Sequence, residues 1–185
     1  MPALRILSIV AAFLLLAAPA LADKMPAPVI AIIDIQHVLQ DSLAAKSVQK
    51  QLDAQRAKFQ GETESEENEL RKAEEELGKS RDKIAANLYA DREQQLRQRF
   101  LTVERHVESR RKLLEDAFTD SMNTVRTNLL EIVQATAKSH GANMVLVKQQ
   151  ALWSDPAFDV TEEVLTQLNK TLPQLAVKMP AEEKP

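Results

Sequence analysis

The 185-residue sequence carries 24 Lys and Arg against 27 Asp and Glu, 44% hydrophobic but only 4% aromatic residues, three Gly and no Cys. So little Gly beside abundant Ala, Leu, Glu, Gln, Lys and Arg points to long helices, and the missing Cys excludes thiolate zinc sites, thiol nucleophiles and disulfides. Three scattered Gly cannot build a phosphate-binding loop, and a net charge of −3 argues against reading a nucleic-acid backbone by bulk charge.

Residues 1–22 read as an export signal. Arg5 and the terminal amine precede an apolar run from Ile6 to Ala18, and Ala20-Leu21-Ala22 places small residues where a signal peptidase reads them. A stable span needs about 20 apolar residues, so cleavage after Ala22 and release into a periplasm are expected; a retained anchor is the alternative. Loss of Arg5 takes the net charge from −3 to −4.

Residues 23–28 form a Pro-containing leader, and Val29 to Ile35 (VIAIIDI) is a β-branched run that predicts a buried strand. From about Asp41 the apolar residues thin out at helical spacing: Leu43, Val48, Leu52 and Phe59, then Leu70, Leu77 and Ile84 at intervals of seven. Such a helix cannot bury enough surface by itself and needs a partner along one narrow seam. The partner follows directly, with Leu96, Phe100, Val103, Val107, Leu114, Phe118, Met122, Val125, Leu129 and Ile132 near a heptad seam with one stutter. Gly141 predicts the helix stop, Asn143 to Val147 a second strand and Ala151 to Trp153 a third. Asp159 with Glu162 is a candidate capping box for a last helix, and residues 173–185, with Pro173, Pro180 and Pro185, are expected to be disordered.

Charge supports an antiparallel hairpin. Gly61 to Glu76 holds eight Glu and two basic residues, whereas Arg97 to Lys112 holds six basic residues and two Glu. A reversal near Asn87 to Tyr89 sets Glu64 opposite Lys112, Glu66 opposite Arg110, and Arg71 opposite Arg105 and Glu104. Like charges would meet in a slipped register, which is what such blocks penalise. The expected fold is therefore mainly α with a small β body: strand-containing body at 23–45 and 135–172, helical arm at 46–134. Strands this apolar expose edges and faces that one copy cannot cover, so self-association through the body is expected.

No catalytic constellation emerges, and neither an enzyme, a cofactor nor a metal is expected. His37, His106 and His140 lie in different elements, and the Glu cluster from Glu62 to Glu76 lacks a calcium-loop pattern. The basic set Arg97, Arg99, Arg105, Arg110, Arg111 and Lys112 is a candidate contact for lipopolysaccharide or anionic lipid, although the acidic block across the hairpin competes for the same charges. Trp153 and Phe158 read as packing residues of the body. Phe100 and Val103 belong to the seam, whereas Leu101 points about 100° away from Phe100 and Leu88 and Tyr89 sit near the tip. Leu88, Tyr89 and Leu101 are thus candidates for holding a partner chain, with incidental exposure as the alternative.

The stretches IAIIDIQHVLQDSLAAK, SHGANMVLVKQQALW and DVTEEVLTQLN, placed around a long charged hairpin behind an export signal, resemble the Skp (OmpH) family of periplasmic chaperones over Val29 to Lys170. The resemblance implies a homotrimer with a central β body and three helical arms around a cavity. It also implies an ATP-independent holdase for unfolded outer-membrane β-barrel proteins. The best-known members are strongly basic, and this sequence, with a pI near 5.7, departs from them. The alternative is a structural or adaptor coiled coil of the envelope that docks a folded partner.

Overall fold

The computed structural model describes residues 25–179; the expected signal and its cleavage site lie outside them, as does the end of the tail from Pro180. In chain order the elements are β1 (Ile30–Ile33), α1 (Ile35–Asp41), α2 (Leu43–Ser80), α3 (Ala86–Ser139), β2 (Met144–Val147) and α4 (Thr161–Thr171), with single 3-10 turns at Lys148–Gln150 and Pro156–Phe158.

The expected strand at 29–35 closes at Ile33 because Asp34 starts a helix instead. Its carboxylate accepts the His37 N–H at 3.0 Å, which caps α1. Ser42 then serves two helices: its N–H closes α1 on Val38 O, and its hydroxyl accepts from Ala45 N–H at the start of α2. β1 and β2 pair in parallel, Ile30 with Met144 through Ile33 with Val147. Parallel neighbours need a long crossover, and here the crossover is the whole helical arm. On its other side β1 touches the 159–160 segment, where Val160 N–H donates to Ile32 O at 2.9 Å.

α3 stops where Gly141 takes φ 69°, a left-handed value that favours glycine. Gly141 N–H closes on Lys138 O and Ala142 N–H on Ala137 O, both at 2.9 Å, which is a Schellman motif. The core lies at this root. Ile33, Val38, Ala44, Val125, Leu129, Val164 and Leu168 are fully enclosed where β1, α1, α4 and the last turns of α3 meet.

Beyond the root the two long helices run alone. At 1.5 Å per residue α2 is about 57 Å long. The chain reverses at 81–85, earlier than the expected Asn87 to Tyr89, and Ala85 begins α3 with no side-chain cap. The third strand does not form: Lys148–Gln150 tightens into a 3-10 turn, after which Leu152 is fully exposed and Trp153 81% exposed. Phe158 is likewise 47% exposed, so neither aromatic packs into the body of a single chain. Nor does the expected capping box close. Val160 occupies the cap position of α4, Asp159 accepts from Thr161 N–H at 2.9 Å, and Glu162 turns away to His37.

The tail departs most from expectation. Residues 173–179 lie extended across the root of the arm, with Leu175, Val177 and Met179 packed on Val48, Leu52 and Ala117. Gln51 fixes the segment by donating to Leu175 O at 2.7 Å and accepting from Val177 N–H at 3.1 Å. Alternating apolar residues and a side chain that satisfies the backbone outweigh the ordering cost that the flanking prolines alone suggested.

Candidate functional site

The arm carries the candidate residues, and its interior is mostly polar. In α2 beyond Leu52 the only buried residue is Leu70, and in α3 before Ala117 the only one is Arg110. Facing Arg110 across the hairpin stand Phe59, Glu62, Thr63 and Glu66, where the sequence of α2 supplies no large aliphatic residue. The Arg110 guanidinium donates to Glu66 at 2.9 and 3.2 Å and to Thr63 Oγ1 at 3.1 Å, and it lies 3.4 Å from Glu62. It also sits 5.7 Å from the centre of the Phe59 ring, within cation–π range. His106 Nδ1 approaches Glu66 at 3.2 Å from the same side. A charged layer therefore stands where a coiled coil ordinarily places apolar knobs.

The expected pairing of Glu66 with Arg110 is thus present. The earlier reversal shifts the other opposites, so that Arg99 meets Glu69 at 3.8 Å, while Glu64 and Lys112 are both exposed.

The displaced apolar residues lie outside. Phe100, Val107 and Phe118, expected on the seam, are 40%, 43% and 45% exposed. Separations of seven and eleven residues return to the same helix face within about 20°, so these three form one flank of α3. Val103 stays half-buried in a groove with Leu70, Thr102 and His106. Leu101 is 45% exposed on another side, Leu88 is 43% exposed near the reversal, and Tyr89 beside it is half-buried. A heptad reading assigns apolar residues to the interior, and it placed Phe100, Val107 and Phe118 there because spacing along one helix does not show what the other helix presents to it.

Of the basic set, Arg110 is interior and the others are exposed. Arg97 pairs with Glu93 and Arg99 with Glu69. Arg111 pairs with Glu108 at 2.7 Å; this bond and the attraction between the two charges lower the Glu108 carboxyl and raise the Arg111 guanidinium. Arg105 donates to Leu101 O and Thr102 Oγ1, both at 3.1 Å.

Each histidine has a carboxylate neighbour. His37 lies between Asp41 and Glu162 at 3.1 and 3.0 Å, and His140 lies 2.7 Å from Glu163. At the root, the His37 N–H and Gln149 amide hold the Asp34 carboxyl below its ordinary value. Partial burial pushes Asp159 up, but Lys148 at 2.7 Å and the Thr161 hydroxyl and N–H outweigh it and leave the carboxyl lowered. Among the described residues no group of three or more His, Cys, Asp or Glu is placed to hold a metal ion, and no helix is long and apolar enough to cross a membrane.

With this geometry in place, the sequence matches one family model, that of the outer membrane protein (OmpH-like) family, over residues 29–168. The chain belongs to the OmpH-like family. The matched stretch begins just before β1 and ends inside α4, so it takes in the root, both arm helices and both strands, and leaves out the tail. No curated protein matches the sequence. Among solved structures, an OmpH-like protein of Caulobacter crescentus CB15, provisionally named an outer membrane chaperone, superposes with a TM-score of 0.79 at 18% identity, over 86% of this chain and 95% of that one. At that identity the likeness concerns the fold: a long helical hairpin on a small strand-containing body.

Proposed function

We propose that this OmpH-like chain is an exported, ATP-independent holdase that keeps unfolded outer-membrane β-barrel proteins soluble in the periplasm, working as a homotrimer. The observation that carries the reading is the surface of the arm. Leu88, Phe100, Leu101, Val107 and Phe118, each between 40% and 45% exposed, are scattered over a densely charged helix. A holdase needs apolar surface that grips a chain at many points without fusing into a patch that aggregates by itself. Each contact contributes little at about 25 cal/mol per Å² of apolar surface, and the sum remains reversible. Chaperone function also fits the family and the provisional name of the Caulobacter relative.

Self-association fits the root. Among the described residues the outer edge of β2 has no partner strand, and Met144, Val145, Trp153 and Phe158 are exposed around it. Copies joined there bring their arms together, and a cage of arms multiplies weak contacts through effective concentration. Export rests on the signal in residues 1–22. Lipopolysaccharide or anionic lipid is a secondary partner at most, because Arg97, Arg99, Arg110 and Arg111 already face carboxylates.

The test is dilution of a urea-unfolded outer-membrane barrel into buffer containing the mature protein without nucleotide. The barrel should stay in solution in proportion to added trimer, and a folded barrel should not be bound. Unchanged aggregation, or recovery of one folded envelope partner instead, contradicts the holdase and favours an adaptor.

A further inference from the structure

The docked tail identifies a binding site at the base of the arm. Its main-chain contacts are those of a β-ladder without a second strand: Gln51 donates to Leu175 O and accepts from Val177 N–H. Those are the two backbone groups that a parallel neighbour would engage, and here one side-chain amide engages both. Recognition of this kind reads the main chain and leaves the side chains free to vary. Leu175, Val177 and Met179 face Val48, Leu52 and Ala117, while Gln174, Ala176 and Lys178 are exposed. Open clefts run along both sides of the segment, one against Ser47, Lys50 and Ala54 of α2 and one against Asp120, Ser121 and Thr124 of α3. The tail follows the stretch shared with the family, which ends at residue 168.

We propose that the groove between the roots of α2 and α3 is a receptor for one extended polypeptide segment with apolar side chains at alternate positions, and that residues 173–179 occupy it as a tethered competitor. The proposal rests on the holdase reading for the identity of the incoming segment. Strands of an unfolded barrel have this period of two, with lipid-facing apolar residues alternating with polar ones. A short tether holds the tail at an effective concentration in the millimolar range. A single weak strand therefore cannot enter, whereas a client already held by several arm contacts can displace the tail.

The probe is a fluorescent peptide with the sequence of residues 171–179, measured by anisotropy against the full mature chain, a chain ending at Leu172, and a full-length Leu175→Ser/Val177→Ser variant. The last variant frees the groove without shortening the protein, and circular dichroism with light scattering establishes that each is folded and assembled. The truncated and double-Ser chains should bind the peptide at least tenfold more tightly than the full chain. Adding Gln51→Leu to the truncated chain should weaken binding about tenfold. A peptide of the same composition with its apolar residues contiguous should bind as weakly as that variant does. Equal binding by full and truncated chains, or equal binding of the two peptides, overturns the proposal. The peptide readout is independent of barrel aggregation: if the truncated chain binds the peptide but protects no barrel, the groove stands and the holdase reading fails.

Discussion

The root and the arm solve the burial problem in opposite ways. At the root, β1, α1, α4 and the end of α3 enclose an apolar cluster in which Val38, Val125, Leu129, Val164 and Leu168 have no exposed surface. Beyond Leu52 and Ala117 the arm is two helices wide, buries Leu70 and one charged layer, and leaves its remaining large apolar side chains partly or largely in solvent. Two antiparallel helices offer only one stripe to each other, so a sequence that spends that stripe on Glu62, Glu66 and Arg110 gives up core and retains register. Stability is therefore concentrated at the root, and the arm keeps apolar surface along its flanks.

Breaking the root should have the largest effect. Leu129→Ala removes a fully buried side chain from the centre of the cluster and should cost about 2–5 kcal/mol, read as a lower urea midpoint for the whole molecule. Arg110→Ala comes next and should act locally. It leaves Glu62 and Glu66 facing the seam without their partner, at about 1–3 kcal/mol, seen as faster amide exchange in 59–70 and 103–114 with the root unchanged. Arg110→Met should recover most of that loss, since a well-packed apolar residue often replaces a buried charge without penalty and the half-exposed glutamates can turn to water.

Acid distinguishes the two regions more gently. Asp34 and Asp159 have lowered pKa values in the folded root. Their contribution is full above the ordinary aspartate value near 4 and fades as the pH falls through the folded values. Between pH 7 and pH 3 the thermal midpoint of the root should fall, and in Asp34→Asn it should fall by less. The smallest effect belongs to the arm surface. Glu108→Gln removes a solvent-exposed pair with Arg111 and should leave the melting curve unchanged, as isolated exposed pairs usually do.

The sequence made much of this architecture readable, for identifiable reasons. VIAIIDI with Asp34 near its end, and the left-handed stop at Gly141, are local signals that tertiary structure did not override. The charge blocks gave the antiparallel sense of the hairpin and the meeting of Glu66 with Arg110. The reversal lies earlier than expected, and 81–85 contains neither Gly nor Pro to mark it. Phe100, Val107 and Phe118 were assigned inward because heptad spacing shows which residues share a face but not what the partner helix presents to that face. Arg110, in turn, was grouped with surface cations because its burial depends on residues more than 40 positions away. The tail carried a usable sign, the alternation of Leu175, Val177 and Met179, which nearby prolines obscured; Gln51 gave none, since a lone Gln on a helix is ordinary.

The central claim is that the root keeps the molecule together while the arm meets the client. Residue-resolved hydrogen exchange on the mature protein, alone and with a bound unfolded barrel, tests it most directly. Amides of β1, α4 and the end of α3 should exchange slowest in both states, and client should slow exchange in the arm around 86–118 and change it in the docked segment 173–179, while leaving β1, α4 and the end of α3 as they were. Exchange as fast at the root as in the arm, or client protection confined to the root, would contradict the account.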